Sequence, residues 1–328
     1  MRAVLSWFMR SRWHAALFTL LTGMVNGLSV LGAGMVALSG LRQGPQEGLL
    51  VALLAATGLA AVGAAAGVAP GLLVISALAI WLPVLFAAWV LSRTGSQGRA
   101  VQSAGAFGAG AILAFFLGTD APGEIGREFV EEYLKPAAEQ LGNGETPEPE
   151  VLEAWAGMVP GMLGAALSLA VIAGVLLGRW WQAVLYNPGG FRAEFHELRH
   201  GLGPMLVMGA ILVLPSFTEQ GWALSLALIA MLLLLMQGLS VLHALVYRKG
   251  MTGFWLVPVY GLLVLLPIPA MASLAGIGIV DNVADLRARF APAPPGGPGG
   301  NGHGDPGQEG PSQEKDRSGD RSDEDPDR

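Results

Sequence analysis

The chain contains no cysteine, which removes disulfides, thiolate metal sites and cysteine nucleophiles together. Charge is also scarce. Only 13% of its 328 residues are Asp, Glu, Lys or Arg, against 52% hydrophobic, roughly half the charged share of an ordinary soluble domain. No acid or base stands in the middle of an apolar run, which argues against a proton- or sodium-driven carrier working through an ionisable relay. Phosphate-cradling glycine loops, a G-x-S-x-G elbow and a Ser/His/Asp arrangement are all missing. Basic residues are too few and too scattered for nucleic-acid binding. No catalytic residue and no cofactor is implied.

Long apolar runs are what the chain has instead: 13–41, 49–66, 70–92, 101–118, 158–178, 202–217, 221–246 and 254–282. Most match the roughly 20 residues a helix needs to cross a bilayer. The expected fold is all-α, a polytopic transmembrane bundle of about 8–10 spans over 1–290, in contact with the lipid bilayer. Residues 291–328 are rich in Pro, Gly and charge and hold almost nothing apolar to offset the entropy of ordering. They are expected to be a disordered tail.

Charge sets the topology. Residues 119–157 carry ten acids and two bases, and residues 301–328 nine acids and four bases. Taking 13–41 as one span would leave most Lys and Arg outside, against their tendency to stay on the cytoplasmic side. Splitting it at Asn26-Gly27 into 13–26 and 28–41 gives inner loops with eleven Lys/Arg and three acids, and outer loops with two and eleven. The split is preferred, with the N-terminus cytoplasmic in a bacterial inner membrane. The cost is two helices of about 14 residues, which barely span. A break near Pro267-Ile-Pro269 would likewise return the C-terminal end to the inner side.

In the acidic segment Ile125, Phe129, Tyr133, Ala137 and Leu141 recur every four residues, an amphipathic helix that Pro136 should kink or end. Thr146-Pro147-Glu148 reads as the cap and first turn of the next helix. The segment is either a solvated hairpin on the bundle or a lid over an outer pocket.

Ala15, Thr19, Gly23 and Gly27 form a small-residue ladder on the first helix, and Gly157, Gly161, Ala165 and Ala170, Gly174, Gly178 form two more. Such faces let helices approach closely, inside one bundle or against another membrane subunit. Asn26 and Gln237 are large polar residues inside the runs, candidates to hold a neutral solute or to bond between helices.

Between the two central runs lies the densest mixture of aromatic and charged residues, 178–201. Arg179-Trp180-Trp181 and Tyr186 suit a membrane interface. Asn187-Pro188-Gly189-Gly190 is a strong turn signal. Phe191, Phe195, Leu198 and Leu202 then form one apolar stripe of an interfacial helix. His196-Glu197-Leu198-Arg199-His200 matches H-E-x-x-H. If helical, it would set His196 and His200 one turn apart over a zinc ion, with Glu197 as base. A third protein ligand is hard to find: Glu219 falls on the opposite side, and Asp281 and Asp285 lie near the C-terminal end. The motif also stands on a charged turn, so two surface histidines are the expected reading, and 179–201 is expected to be a docking surface.

These residues carry a resemblance. Arg12 before two short spans, Leu41-Arg42-Gln43-Gly44-Pro45-Gln46-Glu47-Gly48-Leu49-Leu50, Arg179-Trp180-Trp181-Gln182, Leu185-Tyr186-Asn187-Pro188-Gly189-Gly190-Phe191, and Val280-Asp281-Asn282 with Asp285 and Arg287 together resemble the YybS-like predicted membrane proteins, a family of unknown function. That family is itself similar to the S components of energy-coupling-factor transporters. The similarity implies small-molecule binding and a coupling subunit docked on Ala15, Thr19, Gly23 and Gly27. It also implies six spans, fewer than are counted here. The other partner class compatible with 179–201 is an assembly factor.

Overall fold

Backbone N–H and C=O groups in hydrocarbon must bond within the protein, and a helix does this with no help from neighbours. The computed structural model describes residues 1–290 apart from 26, 142–147 and 219; Asn26, Thr146-Pro147, Glu219 and the tail 291–328 lie outside the described residues. No strand occurs among the described residues. Helices α1 (Arg2–Phe8), α2 (Arg12–Gly23), α3 (Ser29–Gln43), α4 (Pro45–Ala65), α5 (Pro70–Thr94) and α6 (Gln97–Gly118) come first. The acidic layer is α7 (Pro122–Phe129), a π-helical turn (Val130–Leu134) and α8 (Lys135–Leu141). Helices α9 (Pro149–Tyr186), α10 (Gly190–His196), α11 (Leu202–Val213), α12 (Gly221–Arg248), α13 (Val257–Leu265), α14 (Pro267–Ala284) and α15 (Leu286–Arg289) complete the chain.

Among the described residues six helices are long and apolar enough to cross a membrane: α4, α5, α6, α9, α12 and α14. Helix α12 is far more buried than the others and packs against α14, α9, α11 and α6. The first apolar run is split, as the charge count requires. The α2–α3 turn does not reach the level of the α4–α5 turn: Gly23 faces Leu59 and Trp81, inside α4 and α5. At about 18 Å, α2 is too short for a roughly 30 Å core. The last run breaks at Leu266 (φ −135°, ψ 66°), just before Pro267, so α14 returns to the end where the chain began.

Two expectations change here. The first-helix ladder stops at Gly23; Gly27 is an exposed turn residue at φ +86°, a backbone state that glycine adopts without strain. Ala15 and Thr19 are buried in the hairpin that α2 makes with α3 and α4. Beyond the exposed Gly157 the α9 ladders also face inward: a Cβ on Gly161 would press on α12 at Ser225, and one on Gly174 or Gly178 on α3 at Ala33 or Ala37.

In the acidic layer, Pro136 does not end the helix, which runs on through α8 to Leu141. The π turn directly before it takes up the geometry that a missing N–H and a bulky ring impose. Helix α9 opens on Glu148 and Pro149, with proline in the first turn where its absent donor costs nothing. Helix α7 lies on α9 so closely that a side chain at Gly126 would collide with the Ala156 carbonyl.

Candidate functional site at the basic end

Both ends of the described chain, the α3–α4, α5–α6 and α9–α10 junctions, and the C-termini of α12 and α14 meet at one end of the bundle. Among the described residues this end holds thirteen Lys/Arg and five acids, the opposite end two and nine. At the basic end, residues 197–201 leave helical geometry and run down along α12. His200 bonds the Leu233 carbonyl, about 15 residues before the end of α12 at Arg248, or about 22 Å along the helix. This strap explains why α11 is short: the chain has already travelled part of the way inward.

Non-helical backbone is tolerated at such depth only where protein satisfies its polar groups, and four side chains from three other elements do so. Arg287 donates to the carbonyls of His196 and of Leu198, the latter at 2.7 Å. Ser240 donates to the Phe195 carbonyl at 2.6 Å. Gln237 Oε1 accepts from the His200 N–H at 3.0 Å. Gln102 donates to the His200 carbonyl at 2.9 Å. On the far side the strap presses against α6, where a side chain at Gly98 would collide with the Arg199 carbonyl.

A buried ion pair anchors these bonds. Asp281 and Arg287 are 0% and 1% exposed and meet at 3.0 Å. Asp285 makes the meeting possible. It ends α14 in the left-handed region (φ 44°), the only described non-glycine residue at positive φ, and caps α15 by accepting from the Ala288 N–H. Aspartate tolerates this conformation better than most residues, and the reversal carries Arg287 back over Asp281. Arg199 pairs with Asp285 and sits 3.4 Å from Asp281. An acid and a base are therefore enclosed in the bundle after all, although sequence placed Asp281 close to the chain's end. Removing such a pair from water costs several kcal/mol per ion, so its benefit is positional.

The Gln237 amide is saturated. Its Nε2 donates to the Gly278 carbonyl (3.1 Å) and Asp281 Oδ2 (3.3 Å), and its Oε1 accepts from His200 N–H and Asn282 Nδ2 (3.0 Å). Two donors and two lone pairs are all an amide has, so Gln237 has none left for a solute. Asn26, the other ligand candidate, lies outside the described residues.

The H-E-x-x-H geometry does not form. Helix α10 ends at His196, and Glu197 is its C-cap, so the two histidines share no helix face. A carbonyl only accepts, so His200 carries its proton on Nε2 towards Leu233, leaving Nδ1 to accept from Gln102 at 3.3 Å. His196 lies against Tyr247, its pKa pushed down to about 4, first by burial and then by the charges of His243, Arg192, Arg248 and Arg287. Among the described residues no three His, Asp or Glu side chains gather as a metal site.

The remaining candidates divide between the two sides of α9 and its turn. Trp181 is buried near Phe18, whereas Trp180 is 38% exposed; adjacent helical residues point in different directions. Tyr186 is exposed with Arg42 over its ring at 4.3 Å. Asn187 and Pro188 are exposed, Gly189 takes φ +89° as the turn requires, and Gly190 starts α10. Phe191 stacks on Phe195 at 6.0 Å. Leu202 belongs to the next helix and not to the α10 stripe. Beneath, Arg179 grips Glu194 and bonds Gln182, which donates to the Leu41 carbonyl. Sequence missed the linking roles of Gln102, Asn282 and Arg287. The only visible signal was Asp281-Asn282, Asp285 and Arg287 closing a run whose neighbour carries Gln237.

Residues 200–282 match the family described as "Predicted membrane protein (DUF2232)", about a quarter of the chain. The matched stretch is α11 to α14, from His200 at the foot of the strap to Asn282 beside the ion pair. No curated protein and no solved structure matches the chain. Fold and match agree on the coarse statement: this is a helical membrane protein.

Proposed function

We propose that the protein is a non-catalytic membrane docking protein, with its basic end on the cytoplasmic side of a bacterial inner membrane and residues 179–201 as the surface that engages a partner. One observation carries the reading. The segment is held from beneath by Arg287, Ser240, Gln237 and Arg179, while Tyr186, Asn187, Pro188 and Arg192 stay exposed above it. A loop with its backbone bonds made inside and its large side chains left outside is preorganised, which lowers the entropic cost of binding. The excess of Lys/Arg supports the orientation.

An S-component-like role is less well supported. Its coupling subunit would need Ala15 and Thr19, which are covered, and Gln237 is bonded on all sides. The zinc protease reading would need His200 to free one ring nitrogen from Gln102 or Leu233; stoichiometric zinc that is lost in His196→Ala would be required to revive it.

Photo-crosslinkers placed at Tyr186 and at Pro188 in native membranes test the docking role. The same protein captured from both positions, and lost when Arg287→Met releases the strap, is the expected outcome. Capture of different, unrelated proteins from the two positions would refute it.

A further inference from the structure

Beside the turn, on the side that continues into the apolar wall of α9, lies a groove of about 480 Å³. Its walls are Trp180, Val184, Phe191 and Phe195, with Arg192, His196 and His243 at its polar margin. The volume falls in the range of small-molecule sites, roughly 300–1,000 Å³.

Charge at the margin is unbalanced. Glu194 is taken by Arg179 and Glu197 by Arg248. Arg192 makes no ion pair among the described residues; its guanidinium stands 5.1 Å over the Tyr247 ring, which leaves its outer donors free. His243 is occupied, bonding the Leu239 carbonyl through Nδ1 and the Tyr260 hydroxyl through Nε2. The groove thus joins a cation without an anion to an aromatic and aliphatic wall. The Trp180 and Val184 side of that wall belongs to α9, a helix long and apolar enough to cross the membrane, and Trp180 sits six residues from its end, where indoles settle at headgroup depth.

We infer that this groove binds an anionic phospholipid, with the headgroup phosphate on Arg192 and an acyl chain lying along Trp180 and Val184. A soluble anion would use Arg192 but leave the apolar wall wet; a zwitterionic lipid carries its own cation beside the phosphate and so leaves the net charge of Arg192 unbalanced. The amphiphile satisfies both. The site does not rest on the docking role, since it would remain if no protein engaged the turn.

The test is native mass spectrometry of the full chain released from nanodiscs of mixed phosphatidylcholine and phosphatidylglycerol. Wild type should retain a phosphatidylglycerol adduct in preference to phosphatidylcholine. Arg192→Gln should weaken retention about five-fold, the weight of one cation at an anionic surface. Val184→Trp, which fills the groove and leaves every charge in place, should abolish it. Arg42→Gln at the same basic end should change nothing. No preference for phosphatidylglycerol, or equal losses in Arg192→Gln and Arg42→Gln, would overturn the site in favour of a diffuse basic surface. A photo-crosslinker at Val184 that captures protein and no lipid would overturn it in favour of a partner.

Discussion

The two ends of the bundle use charge in opposite ways. At the acidic end, Arg127 and Glu153 form a two-pronged ion pair with side chains 56% and 60% exposed. Water already solvates both groups there, and exposed pairs of this kind contribute little. At the basic end, the pair Asp281–Arg287 is sealed inside, and Arg287 also holds two carbonyls of the strap. There the same chemistry decides where backbone runs. The lesson is that the number of charges at an end says little about their structural weight, whereas their burial and their backbone partners say a great deal.

The sharpest way to break this contrast is to remove one partner of each pair. Arg287→Met should destabilise the fold by about 3–5 kcal/mol, because it strands a buried carboxylate and two carbonyls. Adding Asp281→Leu should recover only part of that, since the His196 carbonyl still lacks a donor, at about 1–3 kcal/mol, and the Leu198 carbonyl keeps only the long bond from Ser240 at 3.5 Å. Unfolding in mixed micelles measures both; full recovery in the double variant would mean that the strap bonds carry no weight.

Packing gives a smaller effect. Gly98→Ala and Gly238→Ala would drive a methyl group into the carbonyls of Arg199 and Leu274, costing about 1–3 kcal/mol each. Gly157 has nothing within 4 Å of such a methyl, and in mid-helix its change to Ala should stabilise by up to about 1 kcal/mol. The same unfolding assay separates the two classes.

A pH effect is confined to the basic end. His196 has its folded pKa pushed down to about 4, below the free value of about 6.5. The unfolded chain therefore binds more protons between these values. The contribution of His196 is full above about pH 6.5 and is lost as pH falls towards 4. His196→Gln should flatten that part of the stability profile; an unchanged slope would show that His196 is not held neutral. The smallest effect is expected at the acidic end, where Arg127→Ala should leave the melting temperature unchanged.

How much of this was legible follows from the same distinction. The apolar runs, the split of the first run, the break before Pro267 and the charge asymmetry were readable, because hydropathy and loop charge act locally along the chain. The turn at Asn187–Gly190 was readable for the same reason. The strap was not. His196–His200 has a helical pattern, and nothing within those residues reveals that Arg287, about ninety residues on, offers donors to their carbonyls. Gln237 stood out as polar in an apolar run, but whether an amide faces a solute or other protein groups depends on partners that sequence does not pair. The small-residue face of α2 was visible too, though not which neighbour would cover it.

The central claim is that Arg287 and Gln237 hold a non-helical strap inside the bundle. Hydrogen–deuterium exchange in nanodiscs reads it directly at the His200 amide, which donates to Gln237. That amide should be protected as strongly as those in the middle of α12, and Arg287→Met should expose it while leaving α4 and α5 unchanged. A His200 amide that exchanges in wild type as fast as the exposed turn at Asn187–Gly190 would contradict the account.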